Sequence, residues 1–155
     1  MRSVAASEID QLARLWHDGW HDAHARFSPA GLVQARTLPR FRERLAVALA
    51  ETRVTGPVGA PLGLCMLKDD ELNQLYVARE ARGAGVAAIL MADGEARLAA
   101  RGLKIAWLAC AVGNDRAARF YEKSGWYRAR TLMSQLETPD GTFALEIWRY
   151  EKALA

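Results

Sequence analysis

The sequence predicts an α/β fold: a mostly antiparallel mixed sheet with a central parallel βαβ crossover, flanked by helices. Three observations carry that reading. Helical apolar periodicity dominates the first fifty residues, short apolar runs separated by turns follow as far as Val77, and then a glycine loop, a long helix and an almost uncharged apolar run succeed one another. The 155 residues, 51% hydrophobic and 25% charged, suit one domain spanning 1–155 with its own core.

The elements follow in chain order. Leu12, Leu15, Trp16, Gly19, Trp20 and Ala23 recur at three- and four-residue steps, which predicts an amphipathic helix from Ser7 to about Ala25, with Ser7 and Asp10 as a loose capping box. Pro29 and Gly31 interrupt it. A second helix is expected from Thr37 as N-cap, with Pro39 in its first turn, through Phe41, Leu45 and Leu49 to about Glu51.

Strands come next. One starts at Val54, another covers Leu62 to Leu67, and Lys68-Asp69-Asp70 turns into a third from Leu72 to Val77, an antiparallel meander. A helix from about Val86 to Arg101 stops at Gly102. The run Lys104 to Val112 reads as a central strand buried on both faces, returning parallel through a crossover. Asn114 and Asp115 open a short helix ended by Gly125, and a hairpin, Trp126 to Leu136 and Phe143 to Glu151, turns through Pro139-Asp140-Gly141.

The net charge of +3 suits a polyanionic ligand but is too scattered to imply nucleic acid. No apolar run has the ~20 residues a membrane span needs, and the N-terminus lacks a secretory pattern, so a cytoplasmic protein is the expectation, with no membrane partner. Cys65 and Cys110 stand apart in apolar runs and read as reduced core residues. His17, His21 and His24 share one flank of the first helix at a spacing that can bind zinc, but without a carboxylate–histidine signature a solvated or pocket-lining role is favoured and no metal is expected.

The loop Arg82-Gly83-Ala84-Gly85-Val86-Ala87 is the most informative segment. Glycines at a strand-to-helix junction let backbone N–H groups converge, and the helix start adds about half a positive charge, a setting for a phosphate. Gly83, Gly85 and Ala88 also fit the dinucleotide fingerprint. That fingerprint, however, needs glycines directly after the strand and an acidic residue about twenty positions on; here Ala78-Arg79-Glu80-Ala81 intervenes and the next strand ends in Ala111-Val112.

Glu71-Leu72-Asn73-Gln74-Leu75-Tyr76-Val77 with the Arg82 to Ala87 loop resembles the central motif of the GNAT acetyltransferase superfamily, whose loop pattern is matched by Arg82, Gly85 and Ala87. Asn114 to Trp126 resembles the family's second motif, in the right order and on the right element. The resemblance implies a GNAT-like fold, acetyl-coenzyme A as co-substrate and a small-molecule or peptide amine as acceptor. It implies that Leu75, Tyr76 and Val77 lend backbone groups to the pantetheine arm, that Arg82, Gly83, Ala84, Gly85, Val86 and Ala87 cradle the pyrophosphate, and that Asn114 contacts the cofactor. The strand over Lys104 to Val112 should splay from its neighbour and open a cleft. A homodimer is compatible with the family.

Transfer to an amine needs a base, since an amine of pKa near 10.4 costs ~4.6 kcal/mol to deprotonate at pH 7. Glu71 occupies a strand position that carries the base in some branches of the family, and Tyr121 the position that points a hydroxyl at the thioester sulfur. Glu71 also reads as a solvated strand-end charge and Tyr121 as a member of the Ala117, Phe120, Ser124 packing stripe. A non-catalytic acyl-coenzyme A binding domain would carry the same loop. Trp16 and Trp20 read as core or acceptor-pocket residues, and no carboxylate among Asp18, Asp22, Glu43 and Glu51 identifies the acceptor.

Overall fold

The computed structural model describes residues 1–154. Its strands form one sheet in the order β1-β2-β3-β4-β5-β7-β6: β1 is Arg2–Ser3, β2 Thr52–Thr55, β3 Gly63–Lys68, β4 Glu71–Val77, β5 Ile105–Ala111, β6 Tyr127–Thr138 and β7 Gly141–Ala153. Every neighbouring pair is antiparallel except β4 and β5. Those two are joined by the crossover helix α4, Val86–Ala100. The helices α1, Ile9–His24, α2, Ala30–Ala35, and α3, Leu38–Val47, precede the meander, and α5, Asp115–Lys123, follows β5.

Each face of the sheet has its own core. On one, Leu72, Leu90, Met91, Leu98, Leu108 and Trp126 pack with α4 and α5. On the other, Leu12, Trp16, Phe41, Leu45, Leu64 and Tyr76 pack with α1 and α3. Both cysteines are buried free thiols on the α4 side. Close approach sets the helix positions: a Cβ on Gly19 would lie 2.7 Å from Tyr76 Cδ1, and one on Gly94 3.1 Å from both Cys65 Sγ and Leu72 Cδ1. A larger residue at either glycine would push its helix off the sheet.

The structure departs from the sequence expectations in several places. The first helix begins at Ile9, and its entry is fixed by Glu8 rather than Ser7: the Glu8 carboxylate accepts from Ala5 N–H at 2.9 Å and pairs with Arg2. Pro29 and Gly31 do not leave a loop but start α2, because proline needs no N–H at a helix entrance. The two-residue β1 is too short for any periodicity to reveal. β5 is not buried on both faces, since Ile105 and Ala109 are exposed, and a cleft opens beside Ala109. The helix from Thr37 has the expected cap, with Thr37 Oγ1 accepting from Arg40 N–H at 3.4 Å, but it ends at Val47 rather than about Glu51, with a separate 3-10 turn over Leu49–Glu51.

Candidate active site

Among the described residues the only parallel register pair is Glu71 with Trp107, next to a bond from Trp107 N–H to Asp70 O at 3.3 Å. Beyond it β4 and β5 part. Ala78 N–H donates to Leu62 O at 2.8 Å, on the β3 side, so strand alternation turns the Leu75 and Val77 amides toward β5. Val112 N–H donates to Glu146 O on β7 at 3.2 Å, so the Ala109 and Ala111 amides turn toward β4. Two strand edges thus face each other unpaired, across a cleft of about 1210 Å³ lined by Glu71, Leu75, Tyr76, Val77, Ala109 and Tyr121 among others.

The loop closes one end of this cleft. Gly83 and Gly85 have φ of 82° and 81°, a left-handed conformation that costs a side-chain-bearing residue ~1–2 kcal/mol, and no atom lies within 4 Å of where a Cβ would stand on either. Gly85 is the N-cap of α4, and the first bond of that helix is from Ile89 N–H to Gly85 O at 3.3 Å. The Val86, Ala87 and Ala88 amides therefore point out of the helix start, where an anion is favoured. Arg82 is not a free cation: its guanidinium lies 3.4 Å from Asp22 on α1, which also holds Arg79 at 2.9 Å. The hydrogen bond from Arg79 is the main reason the Asp22 carboxyl sits below its ordinary range.

Glu71 is held by a relay. Trp16 Nε1–H donates to Gln74 Oε1 at 3.2 Å, Gln74 Nε2–H donates to Asn73 Oδ1 at 3.3 Å, and Asn73 Nδ2–H donates to Glu71 Oε1. A bulge makes the relay possible. Gln74 pairs with Met66 but Leu72 with Leu67, so Asn73 is the extra residue, and it resets the alternation so that Glu71, Gln74 and Tyr76 share the α1 face. Burial raises the Glu71 carboxyl above the usual carboxylate range, opposed by the Asn73 bond and by Lys68.

Tyr121, on α5, lines the same cleft, packed against Tyr150 and Phe120 at ring separations of 5.7 Å. Burial raises its hydroxyl well above 10, so it stays protonated at neutral pH. No hydrogen bond engages that hydroxyl among the described residues. Asn114 is differently occupied: Oδ1 caps α5 by accepting from Ala117 N–H at 3.3 Å, while Nδ2 donates to Ala23 O on α1 at 3.4 Å. It is buried and ties the two helices together at the cleft wall.

The other end of the cleft is built from distant segments. Trp20, His24 and Phe27 from the first helical region, Arg36 and Arg44 from around α3, and Leu132, Ser134 and Leu136 from β6 all line it. Trp16 instead is buried in the core. The three histidines diverge: His17 Nδ1 meets Asp18 at 2.8 Å, His21 Nε2 meets Arg36 O at 2.8 Å, and His24 faces the cleft, where desolvation pulls it down to about 4 and leaves it neutral. Arg36 and Arg44 are not among the residues the sequence singles out, and Asn73 and Gln74 stand there only inside the Glu71 to Val77 stretch. One signal for Arg44 was there: an arginine three residues after Phe41 and next to Leu45, at the edge of the buried stripe of α3.

A splayed mixed sheet with a phosphate-ready helix start beside the splay defines a transferase of the acyl-coenzyme A type. The sequence matches the Acetyltransferase (GNAT) family over residues 9–126, and the chain belongs to that family; acetyl transfer to an amine is the reaction of its class. No curated protein matches the chain. Among solved structures it resembles a GCN5-related N-acetyltransferase from Rhodopseudomonas palustris (21% identity, 99% of this chain and 94% of that one, TM-score 0.73). It also resembles an N-acetyltransferase from Staphylococcus aureus Mu50 (17%, 99% and 97%, TM-score 0.75). A third is the PaiA N-acetyltransferase of Thermoplasma acidophilum in complex with coenzyme A (15%, 98% and 96%, TM-score 0.71). These likenesses bear on the fold. No helix among the described residues is long and apolar enough to cross a membrane.

Proposed function

We propose that residues 1–155 form one GNAT domain that transfers the acetyl group of acetyl-coenzyme A to a primary amine by direct attack in a ternary complex. The observation that carries this reading is the splay of β4 from β5 beyond Glu71 and Trp107, which leaves facing strand amides unpaired beside a free helix start. Unpaired strand amides are costly unless a ligand or water meets them. A pantetheine arm, with amides of its own, meets the Leu75 to Val77 edge, and the pyrophosphate meets the amides and open glycines of the Gly83 to Ala87 loop.

Within that frame Glu71 is the base. Its raised affinity for a proton brings it nearer to the amine it must deprotonate, and the Asn73 bond holds one oxygen so that the other is presented to the acceptor. The amine nitrogen bonds to the acetyl carbon, the carbon–sulfur bond breaks, the amine proton passes to Glu71 directly or through water, and the Tyr121 hydroxyl gives its proton to the departing sulfur. Unpaired amides at the β4 edge polarise the carbonyl.

Acetyl-coenzyme A consumption with a panel of amines, read as free thiol release, tests this. Amine-dependent release that falls in Tyr121→Phe is the expected result. Tight coenzyme A binding with no release for any amine would instead mark a binding domain that has lost its chemistry.

A further inference from the structure

Of the cations that line the cleft, two carry a buried guanidinium nitrogen without a partner. Arg36 Nε and Arg44 Nη1 are buried without a hydrogen-bond acceptor, and neither guanidinium forms an ion pair among the described residues. Nor does a carboxylate of the cleft compensate them. Asp22 is engaged by Arg79 and Arg82, and Glu71 by Asn73; Asp115 stands at the start of α5, and Glu137 near the tip of the β6–β7 hairpin. The acids of α1 and α3 pair outward, Glu43 with Arg40 and Asp10 with Arg42.

The aromatic residues account for only part of each arginine. Arg44 lies over the rings of Trp16 and Phe41, at 4.4 Å and 5.3 Å, and Arg36 lies 5.9 Å from the ring of Trp20. Such stacking uses the face of a guanidinium, while its N–H donors lie in the plane and still need acceptors. The two cations also repel: burial first, then Arg36, pulls Arg44 down to about 10, still charged at neutral pH. Both side chains are half-buried, and a guanidinium nitrogen shut off from water with no acceptor is costly until a ligand supplies one.

The cofactor's phosphates are not the missing anion. Arg36 and Arg44 stack on the α1–α3 core, whereas the Val86 amide and helix α4 belong to the opposite face of the sheet. The arginines stand on the face toward which Glu71, Gln74 and Tyr76 turn, which is where the acceptor must approach the base. The geometry points to an acceptor that is itself an amino carboxylate, its carboxylate held between Arg36 and Arg44 and its amine presented toward Glu71, with apolar Trp20, Phe27, Leu132 and Leu136 around its middle. This assignment of substrate class rests on the transferase reading above.

The test pairs each amino acid, from α- to ω-amino acids, with its own carboxamide and compares kcat/KM for acetylation. The free acid should be preferred for at least one spacing by about tenfold to a hundredfold, the worth of a charge-assisted bond. Arg44→Gln and Arg36→Gln should each bring the acid-to-amide ratio close to one, and Arg44→Lys, which keeps the charge, should retain part of it and covers the case in which a glutamine variant does not fold. Equal rates for acid and amide across the panel would overturn the inference while leaving the transferase reading intact. If no amine is acetylated, the transferase reading fails, and thermal shift of the coenzyme A-loaded protein with the same pairs decides the rest: stabilisation by acids only, lost in the arginine variants, upholds the carboxylate site, and equal shifts reject it.

Discussion

The two ends of the cleft are built differently. At the loop, the groups proposed to meet a ligand are main-chain amides, placed by two glycines and a helix start within six consecutive residues. At the proposed acceptor end they are side chains, Glu71, Arg36, Arg44 and Trp20, brought together from α1, the end of α2, α3 and the sheet. A backbone site tolerates changes in most of its side chains because any residue supplies an N–H. A side-chain site loses its chemistry with one substitution. The difference predicts a steep gradient of mutational effects from one end to the other.

The largest effect is expected at Glu71. Glu71→Gln keeps the shape and the Asn73 contact but removes the base, and kcat/KM should fall by about a hundredfold or more. In the wild type, activity should decline as pH falls through the raised Glu71 value, above the ordinary carboxylate range. The same shift has a stability consequence. Because the folded protein holds the Glu71 proton more tightly than the unfolded chain does, the stabilisation is complete below the unfolded pKa of about 4.3 and is lost as pH rises through the folded one. Glu71→Gln should therefore melt higher than the wild type at pH 8, by calorimetry, while being nearly inactive. A lower melting temperature with full activity would make Glu71 a structural residue.

Tyr121→Phe comes next. It leaves the packing with Phe120 and Tyr150 in place and removes only the hydroxyl. Since a thiolate leaves tolerably well unaided, kcat should drop about tenfold, with the KM for acetyl-coenzyme A little changed. An unaltered kcat would return Tyr121 to the packing stripe.

The same contrast explains what the sequence disclosed. The loop, α4, the meander and α5 were legible because their signals are local: glycines at a junction, helical periodicity, a turn between two apolar runs. Asn114 was legible as a helix start, and its cap bond is there, but its second bond to Ala23 spans ninety-one residues and leaves no local trace. The Asn73 bulge was hidden because it changes the phase of a strand without changing its composition, yet it decides that Glu71 shares a face with Gln74 and Tyr76. Arg36 and Arg44 were hidden because one arginine among many looks like solvated charge until the fold shows that nothing pairs with it.

At the loop the expected changes are smaller. Gly85→Ala meets open space but forces a φ of 81° on an L-residue, which should cost ~1–2 kcal/mol of stability and weaken acetyl-coenzyme A binding to a similar degree. Failure of a melting experiment to register any loss would mean the loop relaxes without consequence for its amides.

The smallest effect is predicted at Arg82, the one charged side chain of the loop. It already leans on Asp22 at 3.4 Å, so an arriving phosphate gains less from it than from a free cation, and its exposed position lets solvent screen the rest. Arg82→Ala should raise the KM for acetyl-coenzyme A only about threefold, within the ~1 kcal/mol typical of exposed charges. Asp22→Asn should act in the opposite sense, because releasing both Arg79 and Arg82 from their shared carboxylate turns two cations toward the loop. The pair of variants separates two accounts of the loop. If Asp22→Asn lowers the KM and Arg82→Ala raises it slightly, the amides hold the phosphates and the arginine trims the affinity; if Arg82→Ala abolishes binding, the loop works through its side chain after all, and the contrast between the two ends of the cleft disappears.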